Sequence, residues 1–296
     1  MNMTIKQAME KAIVNFKLEK IESPNLKARM LMQYVLKKPR QYILIYDNKI
    51  LTQNQEKEYI KYMNYIQNGI PIEHITHQRE FMKLNFYVDE NVLIPRPDTE
   101  ILVEEVIKLA SKPRINNKNA KFVPELQAKF LDLCTGSGAI AVSLAKYIEN
   151  CEVTATDISP QAIEIAKTNA KNNQVENKIT FIESDLFKSI AEEKYDIIVS
   201  NPPYIKQEIL TTLDREVQKE PRLALDGGKD GLDFYRKIIK EAYKYLKYEG
   251  YLCLEIGYDQ KEDVIQLIEK EEKYTNTYCV KDLCDKDRVI VTKVGG

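Results

Sequence analysis

The segment Asn201-Pro202-Pro203-Tyr204 has the residue types in this chain that most clearly suggest chemistry. It follows the apolar run YDIIVS, at the strand end where open α/β sheets place their ligands. The two prolines fix the backbone dihedrals, so the Asn201 amide and the Pro202 carbonyl form a rigid pair of acceptors beside the Tyr204 ring. Acceptors aimed at the N–H bonds of a planar NH2 group favour pyramidalisation as positive charge develops on nitrogen. The segment therefore predicts methyl transfer to an amide or aromatic amine nitrogen, with no general base needed before the transfer.

A second candidate site is the glycine turn in FLDLCTGSGAIAVSL, where a strand runs directly into a helix. Gly136 and Gly138 allow the backbone to turn sharply and to approach a ligand. Nineteen residues after Gly138, Asp157 ends the next strand, where a carboxylate can accept hydrogen bonds from both hydroxyls of a ribose. Ile140-Ala141 stands where a dinucleotide fold would have its third glycine. The pattern favours a nucleoside cofactor other than NAD.

A regular β-then-α alternation after residue 129 places both sites at the same edge of one sheet. Such units predict a mainly parallel sheet with helices on both faces, and the short final connection predicts that one of the last two strands runs antiparallel. The predicted strands are 130–133, 153–156, 179–183, 195–200, 251–256, 274–280 and 289–293, and the predicted helices are 139–147, 160–171, 232–246 and 260–269.

The first part of the chain has a different character. Residues 1–70 show helical spacing of apolar residues and predict a small helical domain, with Ser23 as an N-cap before Pro24. Residues 71–97 have short alternating runs that suggest a β-hairpin linker, followed by a helix capped by Asp98. The polar stretch 111–128 is predicted to be an exposed loop, and the methyltransferase domain to span residues 98–296.

Composition excludes several classes of protein. The chain has 296 residues and a formal net charge of −1. Residues 1–80 carry 13 basic and eight acidic side chains, a net charge of +5, so the rest of the chain has a net charge of −6. A protein that binds duplex nucleic acid would have a strongly basic surface instead. No apolar run approaches the roughly 18 residues of a membrane span, and the N-terminus is not built like a signal peptide. Five dispersed cysteines and two histidines favour a cytoplasmic protein without a metal site.

The helical N-terminal region, the segment IPRPDTE, the turn DLCTGSGAIA and the segment SNPPYI together resemble the HemK/PrmC family of peptide chain release factor N5-glutamine methyltransferases. The resemblance implies a seven-stranded class I methyltransferase fold and S-adenosyl-L-methionine as cofactor, with S-adenosyl-L-homocysteine as product. The implied substrate is the glutamine of the Gly-Gly-Gln loop in class 1 release factors, which the helical domain would dock. The enzyme would act as a monomer, without direct contact with nucleic acid or membrane.

Carried onto this sequence, the resemblance also implies roles for individual residues. Asn201, Pro202 and Tyr204 would be the catalytic residues, and together with Pro203 they would bind the substrate glutamine. Asn201 would also contact the cofactor. Cys134 stands where glycine is usual in this motif, and we expect a close but tolerated fit. The IPRPDTE segment would lie at the pocket mouth, with Arg96 and Glu100 as candidates. The implied cofactor residues are Cys134, Thr135, Gly136, Ser137, Gly138, Asp157, Asp185, Leu186 and Asn201.

Three alternatives remain open at this point. An adenine-N6 or cytosine-N4 nucleic-acid methyltransferase faces the same chemical problem, but it needs a basic face and a target-reading insert that are not evident here. A non-enzymatic assembly protein on a methyltransferase fold is disfavoured by the intact segment 201–204. A Rossmann oxidoreductase is disfavoured by the missing third glycine.

Overall fold

The computed structural model describes residues 3–111 and 127–295, which form two compact units. One unit comprises Met1–Gln78 with Leu213–Lys219, and the other comprises Arg79–Thr212 with Glu220–Gly296. The interior of the predicted loop at 111–128 lies outside the described residues. In the part of the chain that is described, no helix combines the length and apolar content that a membrane span requires.

The first unit is helical, as predicted. Thr4 and Thr52 begin two of its helices with reciprocal capping boxes, which satisfy backbone N–H groups of the first turn. Ser23 occupies the N-cap position before Pro24, as predicted, but its backbone is left-handed with a φ of 49° and its side chain makes no capping hydrogen bond. The helices are α1 (Ile5–Leu18), α2 (Pro24–Leu36), α3 (Arg40–Ile45), α4 (Gln53–Gln67) and α5 (Ile72–Thr76).

The segment Leu213–Lys219 is part of this helical unit although it lies far away in sequence. Within the unit, Glu216 forms an ion pair with the Lys27 ammonium of α2. Arg215 Nη1 lies 3.9 Å from Glu19 Oε2. A Cβ atom added to Gly69 would lie 2.9 Å from the Arg215 Cβ, so the chain needs glycine at this close approach.

The β-hairpin is shorter than the predicted linker. Its strands β1 (Arg79–Phe81) and β2 (Leu84–Phe86) pair antiparallel, and the Phe81 and Phe86 rings meet edge to face. The first residues of the predicted linker instead form α5, because Pro71 begins a helical turn that buries Ile72 and Ile75 on one face.

The second unit is built on a mixed sheet that confirms the predicted class I methyltransferase fold. Its helices and strands are α6 (Thr99–Ala110), β3 (Ala128–Leu133), α7 (Ala139–Tyr147), β4 (Cys151–Asp157), α8 (Pro160–Asn172), β5 (Ile179–Glu183), β6 (Tyr195–Ser200), α9 (Asp233–Ala242), β7 (Leu246–Glu255), α10 (Lys261–Glu269), β8 (Tyr274–Lys281) and β9 (Asp287–Val294). Within the described residues, seven strands are arranged in the order β5-β4-β3-β6-β7-β9-β8, with β9 antiparallel to both β7 and β8. Two apolar clusters form the core of this unit.

Asp98 occupies the N-cap position of α6, as predicted, but its side chain makes no capping hydrogen bond, and its carboxylate pairs with Arg288 Nη2 at 3.2 Å. One predicted boundary in this unit is wrong. The helix predicted for residues 232–246 ends at Ala242, since Leu246 already pairs with Tyr195 as the first residue of β7. Leu246 fits both the helical stripe and the strand, and the sheet pairing decides between them.

Candidate functional site

A cavity of about 300 Å³ lies in the second unit at the carboxyl edge of the sheet. The parallel register brings its parts together, because Leu133 of β3 pairs with Thr156 of β4 and with Ser200 of β6. The residues that follow these positions therefore meet at one edge. The residues lining the cavity are Asn91, Val92, Leu93, Cys134, Gly136, Asp157, Ile158, Ser159, Ala162, Ser184, Asp185, Leu186, Asn201, Pro203, Pro221, Leu223, Ala224, Phe234 and Lys237.

The glycine turn needs left-handed backbone at alternate residues. Cys134, Gly136 and Gly138 have φ values of 60°, 54° and 79°. A Cβ atom on Gly136 would meet nothing within 4 Å, so its backbone borders open space, whereas a Cβ atom on Gly138 would lie 3.0 Å from that of Ala166. Cys134 adopts the same conformation without being glycine, and burial raises the pKa of its thiol, which disfavours a nucleophilic thiolate.

Asp132 stabilises this turn through hydrogen bonds, and this role was not predicted from the sequence. Its Oδ2 atom accepts hydrogen bonds from Thr135 Oγ1 at 2.6 Å and from the Ala141 backbone at 3.2 Å. Complete burial raises the pKa of Asp132 to about 7. An acidic residue within the apolar run FLDL was the signal that could have identified it.

Asp157 connects the turn to the next strand. Its Oδ2 atom accepts a hydrogen bond from the Gly136 backbone at 2.8 Å, and its Oδ1 atom accepts one from the Ser159 backbone at 2.9 Å. Burial raises its pKa, and these backbone donors partly oppose the shift. A carboxylate has about four acceptor positions, so Asp157 can still accept hydroxyl donors from the cavity side.

Asp185 and Leu186 line the cavity beyond Asp157. Leu186 has a φ of 52°, and its carbonyl accepts a hydrogen bond from Ser184 Oγ at 2.7 Å. The Asp185 carboxylate pairs with Lys188 Nζ at 2.6 Å. The two residues therefore belong to an ordered turn at the end of β5.

The corner at residues 201–204 is held by its backbone. Gln260 Nε2 donates to the Tyr204 carbonyl at 3.0 Å and to the Gly231 carbonyl at 3.3 Å. The glycine-rich segment 226–231 pairs with the residue that follows the corner, because Gly227 donates its N–H to the Ile205 carbonyl at 2.8 Å. This support leaves the corner little freedom to move.

Asn201 is the member of this corner whose polar side chain reaches the cavity. Its Nδ2 atom donates to Thr99 Oγ1 at 3.2 Å, and the completely buried Glu255 lies beside both residues at the end of β7. Pro203 also lines the cavity. Pro202 is buried and Tyr204 is half-buried, and neither is among the lining residues.

The structure places the predicted site residues in two groups. Seven of them line one cavity: Cys134, Gly136, Asp157, Asp185, Leu186, Asn201 and Pro203. The others support the cavity without lining it: Thr135, Ser137, Gly138, Pro202 and Tyr204. Their functional roles stay predictions. The apolar wall that includes Leu93, Ile158 and Phe234 was not identified from sequence, because isolated apolar residues give no pattern that separates a ligand from a core.

Arg96 and Glu100 do not line the cavity, and each has a partner elsewhere. Arg96 forms an ion pair with Glu220, whose Oε2 atom also accepts a hydrogen bond from the Ile94 backbone at 2.9 Å. Glu100 accepts a hydrogen bond from the Met82 backbone at 2.6 Å. In the IPRPDTE segment it is Thr99 that contacts the candidate substrate-binding residue.

Two family models match the chain. Residues 7–76 match the PrmC N-terminal domain, and residues 114–229 match the methyltransferase small domain. A release factor glutamine methyltransferase of Clostridium acetobutylicum is 40% identical over 99% of this chain and 100% of its own length. The protein of the same name from Koribacter versatilis is 36% identical over 98% of both chains.

Solved structures support the fold. A methyltransferase from Pyrococcus furiosus is 19% identical and superposes with a TM-score of 0.51 over 80% of this chain and 99% of its own. The hMettl16 catalytic domain, solved with the MAT2A 3'UTR hairpin 6, is 15% identical and gives a TM-score of 0.56 over 77% of this chain and 83% of its own.

Proposed function

Because the chain belongs to the release factor glutamine methyltransferase family, we propose that it methylates N5 of the glutamine side chain in the Gly-Gly-Gln motif of class 1 peptide chain release factors, with S-adenosyl-L-methionine as methyl donor. One observation carries this proposal. The carboxamide of Asn201 borders the same cavity as Asp157 and the Gly136 backbone. A candidate amide-binding group and a candidate ribose-binding group thus line one cavity.

The cavity has the chemistry that the cofactor requires. The open space beside Gly136 admits a ligand close to the backbone, and Asp157 keeps acceptor capacity for two ribose hydroxyls. Asp185 and Leu186, which line the cavity together with Phe234, would flank the adenine. Bound S-adenosyl-L-methionine supplies an electrophilic methyl carbon, and the overall reaction breaks its bond to sulfur, forms a bond to the glutamine nitrogen and releases one proton.

Asn201 would orient the substrate amide and stabilise charge on its nitrogen. Since Nδ2 already donates to Thr99, the Oδ1 atom remains as an acceptor for a substrate N–H. Oδ1 would hold the nitrogen lone pair in line with the methyl carbon. The Pro202 carbonyl, the second acceptor predicted from sequence, belongs to a residue that does not line the cavity. The buried prolines keep these acceptors rigid, so the reorganisation cost is low.

The helical unit would dock the body of the release factor. It carries an exposed apolar run at the end of α3, where Leu44, Ile45 and Tyr46 are 61%, 69% and 50% exposed. Contiguous exposed apolar residues indicate an interaction surface.

We expect the combined change Leu44→Ser and Ile45→Ser to raise KM for a whole release factor about tenfold, with unchanged turnover of a short Gly-Gly-Gln peptide. Equal effects on both substrates would contradict docking.

Mass spectrometry of a release factor incubated with the enzyme and S-adenosyl-L-methionine tests the proposed reaction. We expect one added methyl group on the Gly-Gly-Gln peptide, and a loss of kcat of about 100-fold or more in Asn201→Ala with little change in S-adenosyl-L-homocysteine binding. Asn172→Ala, an exposed change on α8, serves as the matched control. Methylation of adenine- or cytosine-containing oligonucleotides, with the release factor left unmodified, would favour the alternative substrate class. The reaction would take place in the cytoplasm and would need a single copy of the chain.

A further inference from the structure

The buried carboxylate of Glu255 lies next to Asn201, the candidate substrate-binding amide. Ser200, the last residue of β6, pairs with Leu254 of β7, so Asn201 follows β6 at the level of Glu255, the last residue of β7. Glu255 is 1% exposed, and within residues 3–111 and 127–295 its Oε2 atom has no hydrogen-bond partner. An ionisable group so placed has a large desolvation cost, which needs a physical explanation.

The surroundings of Glu255 supply partial charge compensation. Hydrogen bonding by the Thr99 and Asn201 side chains and the positive charge of Arg288 lower the pKa of Glu255, whereas Asp98 raises it. Arg288 itself pairs with Asp98 and Asp282. Burial outweighs these effects and raises the pKa of Glu255 to about 7.

The remaining neighbours add no further charge at neutral pH. Tyr204 and Tyr235 both lie near this carboxylate, and burial raises the pKa of each phenol above its ordinary value. The Tyr235 hydroxyl donates to the Glu255 backbone carbonyl at 2.9 Å, so it leaves the carboxylate to Thr99 and Asn201.

We propose that Glu255 is a positioning residue that fixes the carboxamide of Asn201, directly and through the Thr99 hydroxyl, with Nδ2 turned inward and Oδ1 facing the substrate. An ionised carboxylate only accepts hydrogen bonds, so beside a charged Glu255 the Thr99 hydroxyl would direct its proton to Glu255 and accept from Asn201. The observed Nδ2 to Oγ1 hydrogen bond has this polarity. The inference rests on the proposed function, because it concerns how Asn201 is oriented for an amide substrate.

Protonation of Glu255 would remove this control. A neutral carboxyl group can donate to Thr99, and Thr99 can then donate to Oδ1 of Asn201, which reverses the amide. Activity should therefore rise as pH increases through about 7, where Glu255 becomes charged. Glu255→Gln both donates and accepts, so the variant loses the orienting effect at every pH.

Steady-state kinetics on a release factor substrate provide the first test. We expect Glu255→Gln to lower kcat about 10- to 100-fold, to abolish the acidic limb of the kcat profile and to leave S-adenosyl-L-homocysteine affinity within about twofold. Thr99→Val should show a similar loss of kcat, most of which Thr99→Ser should restore. Glu105→Gln removes another buried carboxylate of the same unit and is the matched control. An unchanged kcat and acidic limb in Glu255→Gln would overturn the inference.

A second measurement does not depend on turnover. In protein with 15N-labelled asparagine, the signals of the Asn201 Nδ2 hydrogens can be assigned by their loss in Asn201→Ala. We expect these signals to shift with pH, with a midpoint near 7, in the wild type but not in Glu255→Gln. If the Asn201 Nδ2 signals of the wild type do not change with pH, the inference is contradicted even if methylation occurs. A wild type that methylates no release factor, but shows this titration, would instead refute the proposed substrate.

Discussion

Replacement of Asp157 with asparagine removes one negative charge from the cavity and keeps the size of the side chain. The carboxylate accepts backbone hydrogen bonds on both oxygens, from Gly136 at 2.8 Å and from Ser159 at 2.9 Å. Asparagine has a single acceptor oxygen, so whichever way the amide turns, its NH2 group faces a backbone N–H donor. One of the two backbone hydrogen bonds must therefore be lost.

The expected loss of cofactor affinity follows from the same count of acceptors. Two ribose hydroxyls need the remaining acceptor positions of Asp157, and asparagine can serve only one of them well. A hydrogen bond to a charged group contributes about 1.5–3 kcal/mol, and each 1.4 kcal/mol changes a dissociation constant about tenfold. We therefore expect Asp157→Asn to raise Kd for S-adenosyl-L-homocysteine about 10- to 100-fold.

Isothermal titration calorimetry with the unreactive product measures this change. Asp263→Asn, an exposed substitution on α10, removes the same charge away from the cavity and should leave Kd unchanged. Thermal unfolding of each variant shows whether the turn remains folded. A Kd for Asp157→Asn within twofold of the wild type, in a folded protein, would refute the assignment of this carboxylate to the ribose.

Two further predictions concern the glycine turn. Gly138→Ala should lower the free energy of unfolding by about 1–2 kcal/mol, because φ at this position is +79° and the new Cβ would lie 3.0 Å from that of Ala166. Denaturant titrations measure this change, and an unfolding midpoint equal to that of the wild type would contradict it. Asp132→Asn should flatten the pH dependence of stability. The raised pKa of Asp132 means that the folded state binds more protons between the ordinary carboxyl pKa of 3.8 and about 7, so the wild type should lose stability as pH rises through that window. Identical slopes in unfolding curves measured from pH 4 to 8 would show that Asp132 does not titrate there.

The features that could be predicted from sequence are those that depend on a local pattern of neighbouring residues. The strand, turn and helix around Gly136 follow from an apolar run, two glycines and a 3.6-residue period, and the structure has them where they were expected. The corner at Asn201 follows from an apolar run and two prolines. Local signals were ambiguous at α5, where β-branched residues favoured a strand but burial of Ile72 and Ile75 favours a helical turn.

The support behind the site could not be predicted, because it depends on topology. Thr99 precedes Asn201 by more than one hundred residues, and Glu255 follows it by more than fifty. Their meeting depends on the pairing of β6 with β7 and on the packing of α6 against β7. A single charged residue at the end of an apolar strand gives a weak hint of burial, but it does not identify the partner.

The membership of Leu213–Lys219 in the helical unit limits how modular this protein can be. The chain leaves the helical unit at Gln78, returns to it for these seven residues, and leaves it again before Glu220. A fragment that begins at residue 79 would keep Glu216 but lose its partner Lys27. It would likewise keep Arg215 but lose Glu19. Recombination between relatives at that single point would therefore join a loop from one parent to helices from another. Chimeras that exchange residues 1–78 and 213–219 together should fold better than those that exchange the N-terminal part alone.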